Sequence, residues 1–111
     1  MTARSPLTPV SDDTFADVVL AAPGPVLVDF WASWCQPCHL MTPVLEELAA
    51  SFGDRLRVVA LDIDENPDTT RAYAIESVPT FVVFRDGEVV TSLVGARPKP
   101  VLASELAEIV S

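Results

Sequence analysis

Six consecutive residues, Val26-Leu27-Val28-Asp29-Phe30-Trp31, are apolar on both alternating faces with one exception, Asp29. Successive side chains of a strand point to opposite sides of its sheet. A run that is apolar on both sides therefore belongs inside a sheet covered on each face, which predicts an α/β layering. Pro23-Gly24-Pro25 breaks the chain just before this run. Four residues after it ends comes Cys35-Gln36-Pro37-Cys38-His39, which holds both cysteines and the single histidine of the chain.

The segment that follows is helical. Met41, Val44, Leu45, Leu48 and Phe52 fall at i, i+3, i+4, i+7 and i+11 and make one apolar stripe, and Gly53 is placed to end it. Pro43 lies inside the pattern without a backbone donor and is expected to kink the first turns. Residues 56–63 read as a second buried strand, completing a strand–helix–strand unit. Asn66-Pro67 signals the cap and first turn of a short helix to about Tyr73. Residues 80–84 and 89–94 read as strands joined by Arg85-Asp86-Gly87-Glu88, whose Asp-Gly pair favours a tight hairpin turn. Gly95 stops the sheet, and Pro98 and Pro100 precede a final helix with Leu102, Leu106, Ile109 and Val110 on one face.

At the front of the chain, Ser11 is placed to N-cap a helix bearing Phe15, Val18 and Val19. Pro6 and Pro9 would interrupt ladder bonds, so residues 1–9 are expected to be a short arm or weak edge strand. Residues 10–111 are expected to form a single domain. Its centre is a mixed sheet of four to five strands with helices on both faces.

Composition bounds the function. With 111 residues, half of them hydrophobic, the chain can bury a core without metal or structural disulfides. Sixteen acidic against seven basic residues give a net charge of -9. Phosphates repel such a chain, which excludes nucleic acid and anionic lipid as natural partners. No stretch approaches the roughly 18–20 continuous apolar residues of a membrane span. Met1 to Asp17 holds three acidic residues and two prolines but no apolar signal-peptide core. The expectation is a cytoplasmic protein, where two cysteines three positions apart indicate redox chemistry or metal binding.

Three chemistries compete for the pentapeptide. As C-x-x-C-H it spells a c-type haem attachment site. That reading needs a distal ligand, yet His39 is the one histidine, Met41 is too close to it to reach the opposite haem face, and Met1 is the remaining methionine. Zinc would have at most three ligands in Cys35, Cys38 and His39, with no second Cys/His pair to close a tetrahedron unless two copies share a site. A dithiol fits the context better. Cys35 would sit where the first strand turns into the helix, facing unpaired backbone N–H groups and the positive end of the helix dipole, which favour thiolate over thiol. Cys38, one turn later, would share its face at a Cα separation of roughly 5–6 Å, within disulfide range. Pro37 fits the first helical turn and stiffens the loop between the sulfurs. Asp29, a carboxylate in an apolar strand, is expected to have a raised pKa because burial disfavours its charge.

The run from Val28 to Cys38, VDFWASWCQPC, resembles the active-site strand and turn of the thioredoxin family. Asp62-Ile63-Asp64-Glu65-Asn66-Pro67, Val78-Pro79-Thr80, Asp86-Gly87 and Val94-Gly95-Ala96 resemble the family's later landmarks in the same order, from about Val10 onward. The resemblance implies a thioredoxin-like fold and a protein-disulfide reductase in which Cys35 is the nucleophile and Cys38 the resolving thiol. It implies that Asp29 transfers a proton at Cys38; the bland alternative is a buried side chain satisfied by water. Trp34, Gln36, Pro37, Val78, Pro79, Gly95 and Ala96 would line the substrate-binding rim, with Pro79 in the cis form. No cofactor or metal is implied. The implied partners are disulfide-containing protein substrates and a thioredoxin reductase, met by a monomer. The alternatives are a thioredoxin-fold oxidase or isomerase, whose His-containing loops Gln36-Pro37 does not match, and a binding or chaperone module using the same surface.

Four positions depart from the family's usual residues. Gln36 stands for Gly and His39 for Lys or Arg, both where side chains set the relative stability of dithiol and disulfide. Ala60 stands for a Lys near the buried carboxylate, so the pKa of Asp29 is expected to rise further than where that Lys is kept. Ser77 stands for a Gly before Val78-Pro79. His39 itself reads as a solvated first-turn side chain which, when protonated, would favour the Cys35 thiolate. Trp31 reads as core and Trp34 as a substrate contact.

Overall fold

The computed structural model describes residues 7–110. Residues 1–6 of the expected N-terminal arm lie outside the described residues. Five strands form one sheet: β1 (Thr8–Pro9), β2 (Pro25–Trp31), β3 (Arg57–Asp62), β4 (Thr80–Arg85) and β5 (Glu88–Val94), in the spatial order β1-β3-β2-β4-β5. Helices α1 (Gln36–Phe52), α2 (Pro67–Ala72) and α3 (Lys99–Val110) join or follow them. β3 runs parallel to β1 and β2, while β4 runs antiparallel to β2 and β5. The sheet is mixed as expected, because β4 and β5 form a hairpin. At its turn Asp86 and Gly87 both take positive φ, 54° and 80°, the primed geometry that matches strand twist and that Gly adopts without strain.

The two-sided apolar pattern of β2 sorts the core. Val26, Val28 and Phe30 face one layer with Phe15, Val19, Val59, Leu61, Val82 and Phe84. Leu27 faces the other, with Met41, Leu45, Leu48 and Phe52 of α1 and Leu102 and Leu106 of α3. Alternation puts Asp29 and Trp31 on this second face, under α1 and α3. Rings of Phe15, Tyr73 and Phe84 close the first layer in a mutual cluster with centroids 5.1–5.5 Å apart.

Two local expectations change, in the first helix and at the start of α3. The first helix is a five-residue segment, Ala16–Leu20, closed by a bond from the Ala21 N–H to the Ala16 carbonyl five residues back. Ser11 precedes it through a turn, with the Ser11 N–H donating to Thr14 Oγ1 at 2.9 Å. α1 continues without interruption through Pro43. α3 begins at Lys99, so Pro100 lies inside its first turn, where a missing N–H costs nothing. The Pro98 carbonyl accepts from the N–H groups of Val101 and Leu102, both at 3.1 Å.

The cap of α2 comes from an unexpected place. Asn66 makes no side-chain bond to the first turn. Its Nδ2 donates to the Asp62 carbonyl at 3.0 Å, and its Oδ1 accepts from the Asp12 N–H at 2.9 Å. The Asp12 carboxylate instead accepts from the N–H groups of Asp68 (3.2 Å) and Thr69 (2.8 Å) and from Thr69 Oγ1 (2.6 Å). A residue 54–57 positions away thus performs the capping that a local side chain usually performs. It ties the segment after β1 to the segment after β3.

The Thr69 hydroxyl, chiefly, with the two backbone donors holds the Asp12 carboxyl below its ordinary 3.8. A depressed folded-state pKa contributes stability above the unfolded value and loses it as pH falls through the folded one. Asp12→Ala is therefore expected to lower the Tm at pH 7. The difference from wild type should narrow as the pH is taken below 3.8. Thermal unfolding across that range checks both statements, and equal Tm values at pH 7 would contradict them.

Candidate active site

β2 ends at Trp31, and the chain turns through Ala32, Ser33 and Trp34 before α1 begins. The turn is closed by the Cys35 N–H donating to the Ala32 carbonyl at 3.1 Å. Cys35 is then the N-cap of α1, with extended φ and ψ of -93° and 104°. Its side chain accepts from the first helical turn where Ser or Asp usually would, since the Cys38 N–H donates to Cys35 Sγ at 3.2 Å. Pro37 lies in that first turn, its absent N–H being one the helix would leave unpaired.

The two sulfurs are joined as a disulfide with Cα atoms 5.3 Å apart. Both cysteines are buried and cluster with Ala32, against which Trp31, Ile63 and Val78 pack. The Val78-Pro79 peptide is cis, and the Pro79 carbonyl accepts from the Gly95 N–H at 2.9 Å. Gly95 holds φ at 97°, which a side chain would strain, so the end of β5 turns off beside Pro79. Trp34 is 67% exposed, and Gln36, Pro37 and Ala96 are exposed with it. Val78 is half-buried, and Pro79 is buried. The structure thus joins Cys35 to Cys38, packs Val78 against them, and hydrogen-bonds Pro79 to Gly95.

Asp29 is 2% exposed and absent from this rim. Its Oδ1 has no hydrogen-bond partner among the described residues. Desolvation alone pushes its pKa from 3.8 to about 7. Its register neighbour on β3 is Ala60, whose methyl supplies no cation. Ala60 instead lines a cleft of about 390 Å³ together with Trp31, Asp62 and Glu65. With desolvation unopposed by any neighbouring cation, this carboxyl keeps its proton up to near neutral pH.

Two contacts at the site were not anticipated from sequence. Trp34 Nε1 donates to Asp64 Oδ2 at 2.8 Å, tying the exposed indole to the loop after β3. Asp64 was visible as a family landmark, but nothing in its spacing announces an indole partner 30 positions away. His39 is not the free, solvated side chain expected. It is half-buried, with Nε2 2.8 Å from the Ser33 carbonyl oxygen and its ring edge-on to Trp31.

A vicinal dithiol/disulfide at a helix N-terminus, beside a cis proline on a mixed five-stranded sheet, defines a thiol–disulfide exchange protein. A family model described as Thioredoxin matches residues 6–108. The chain is 46% identical over 110 residues to a thioredoxin of Mycolicibacterium smegmatis, covering 97% of this chain and 98% of that one. It is 50% identical over 97 residues to a thioredoxin of Acidithiobacillus ferridurans, covering 87% and 90%. Against thioredoxin 1 of Synechococcus elongatus it is 47% identical over 97 residues, covering 87% and 91%. The chain belongs to the thioredoxin family and is a dithiol–disulfide oxidoreductase of the disulfide-reductase type. No helix among the described residues is long and apolar enough to cross a membrane.

The raised pKa of Asp29 has a stability consequence. Between about pH 4 and 7 the folded chain keeps this proton while the unfolded chain has released it. Stability therefore falls as pH rises through that window and levels off above it, with a contribution of about 4 kcal/mol. Asp29→Asn should gain on wild type progressively from pH 4 to 7 and keep that lead at pH 8. Denaturant unfolding of the disulfide form at these pH values checks it, and parallel stability curves for the two proteins would refute it.

Proposed function

We propose that Cys35 is the attacking sulfur of a small cytoplasmic reductant of protein disulfides, that Cys38 resolves the intermediate, and that Asp29 serves Cys38 as proton acceptor. The observation that carries this reading is the bond from the Cys38 N–H to Cys35 Sγ. Backbone donors at a helix N-terminus favour negative charge on the sulfur they face, so the reduced pair keeps its thiolate at Cys35.

The Cys35 thiolate attacks one sulfur of a substrate disulfide. A Cys35–substrate S–S bond forms, the substrate S–S bond breaks, and the other substrate sulfur leaves as a thiolate. Cys38 gives up its proton, with Asp29 as acceptor, and its sulfur attacks Cys35. The Cys35–Cys38 bond forms and the second substrate thiolate departs, so the substrate has gained two electrons and the pair has lost two. A thioredoxin reductase returns those electrons. Trp34, Gln36, Pro37, Val78, Pro79, Gly95 and Ala96 are proposed as the docking rim, supported by the exposed indole, by Val78 packed against the two cysteines and by the Pro79–Gly95 bond next to it in the chain. Residues 10–111 are taken as one domain acting as a monomer, with residues 1–9 as its arm.

The roles of the two cysteines are separable by trapping. Cys38→Ser should accumulate covalent adducts with disulfide-bonded proteins that dithiothreitol releases, and Cys35→Ser should form none. Turnover of a disulfide substrate should fall at least about a thousandfold in either variant, as expected on removing a nucleophile. Adducts on Cys35→Ser with none on Cys38→Ser would reverse the assignment. Full activity of the doubly substituted Cys35→Ser, Cys38→Ser chain would point to a binding module instead.

A further inference from the structure

The turn that carries Cys35 is held at both of its central residues, and from two different elements. Trp34 is held through its indole by Asp64 on the loop after β3. Ser33 is held through its backbone by His39 in the first turn of α1, at 2.8 Å. A carbonyl oxygen only accepts, so Nε2 carries the proton in this contact whether the ring is neutral or charged. The ring is itself placed by the edge-on contact with Trp31, at a centroid distance of 6.1 Å and an interplanar angle of 70°. Fixing the Ser33 carbonyl fixes the peptide plane between Ser33 and Trp34, because the peptide unit is rigid. The next plane leads directly to Cys35.

We propose that His39 is a positioning residue for thiol–disulfide exchange: by donating Nε2–H to the Ser33 carbonyl it locks the Ala32–Cys35 turn, so that the Trp34 indole and the Cys35 sulfur meet an incoming disulfide in one fixed arrangement. The role belongs to a donated proton and is distinct from any field that a charged ring exerts on the thiolate. Pre-set geometry of this kind accelerates a reaction without the residue touching the substrate. The inference rests on Cys35 being the attacking sulfur.

Side-chain length provides the test. The amide nitrogen of Gln stands as many bonds from the backbone as Nε2 of His, whereas that of Asn stops one bond short. Reduced full-length wild type, His39→Gln, His39→Asn and His39→Leu are compared in single-turnover reduction of insulin, with no reductase present. The Trp34 indole N–H resonance is followed in the same proteins. His39→Leu and His39→Asn are expected to react about fivefold more slowly, the worth of one hydrogen bond, and to shift or broaden the Trp34 signal. His39→Gln should stay within about twofold of wild type and keep that signal.

An unchanged rate and Trp34 signal in His39→Leu overturns the proposal. A His39→Gln protein as slow as His39→Leu overturns it equally, since the ring contact or its charge would then be the cause. Cys35→Ser is run alongside. If it still reduces insulin, the assignment of the attacking sulfur is what fails. If it is inert while all His39 variants are normal, the positioning role alone fails.

Discussion

Removal of β2 from water on both sides is the constraint on which the rest of this structure depends. The strand is paired along its length with β3 on one side and β4 on the other, and both of its faces are packed. A strand paired on both edges and packed on both faces has little freedom to move, and the turn that carries Cys35 is attached to its carboxyl end. The same burial acts on Asp29. Placed in water it would be an ordinary carboxylate, whereas under α1 and α3 it titrates near 7. One packing decision thus both fixes the strand that leads into the Cys35 turn and lifts the Asp29 carboxyl toward neutral pH.

The turn itself joins rigidity to exposure. Cys35 caps α1 and takes a backbone donor on its sulfur, while the neighbouring Trp34 ring lies open to solvent. An exposed aromatic side chain ordinarily samples several rotamers. Here Asp64 holds the indole and His39 holds the preceding peptide. The exposed indole is therefore held in one arrangement, which lowers the ordering cost of any contact made on it. Just before β4 and just after β5, Pro79 and Gly95 are tied to each other by the bond from the Gly95 N–H to the Pro79 carbonyl.

Much of this could be read from the chain. The double-faced apolar run of β2, the stripe from Met41 to Phe52, the Asp86-Gly87 turn and the Cys35/Cys38 spacing each have a local physical cause, and the structure reproduces them. The family resemblance added the cis geometry of Val78-Pro79. What the chain concealed were pairings across long sequence separations. Asn66 looks like a helix cap but spends its side chain on Asp62 and Asp12, and Asp12 does the capping. His39 looks like a solvated side chain because nothing local shows that the turn folds back within reach of its ring. Pro100 reads as preceding the final helix because sequence alone does not say whether a proline falls one residue before or inside a first turn.

The sequence by itself determined which segments become strands and helices, which faces are apolar and which two cysteines make the redox pair, because periodicity, turn chemistry and cysteine spacing act over a few residues. Only the tertiary structure decided what those atoms experience. The pKa of Asp29 follows from layers closing over it and from Ala60 lying alongside with no charge to offer. The orientation of Trp34 and of the Ala32–Cys35 turn follows from Asp64 and His39 reaching it from separate elements. Desolvation and hydrogen-bond geometry depend on distances in space, and a chain acquires those only when it folds.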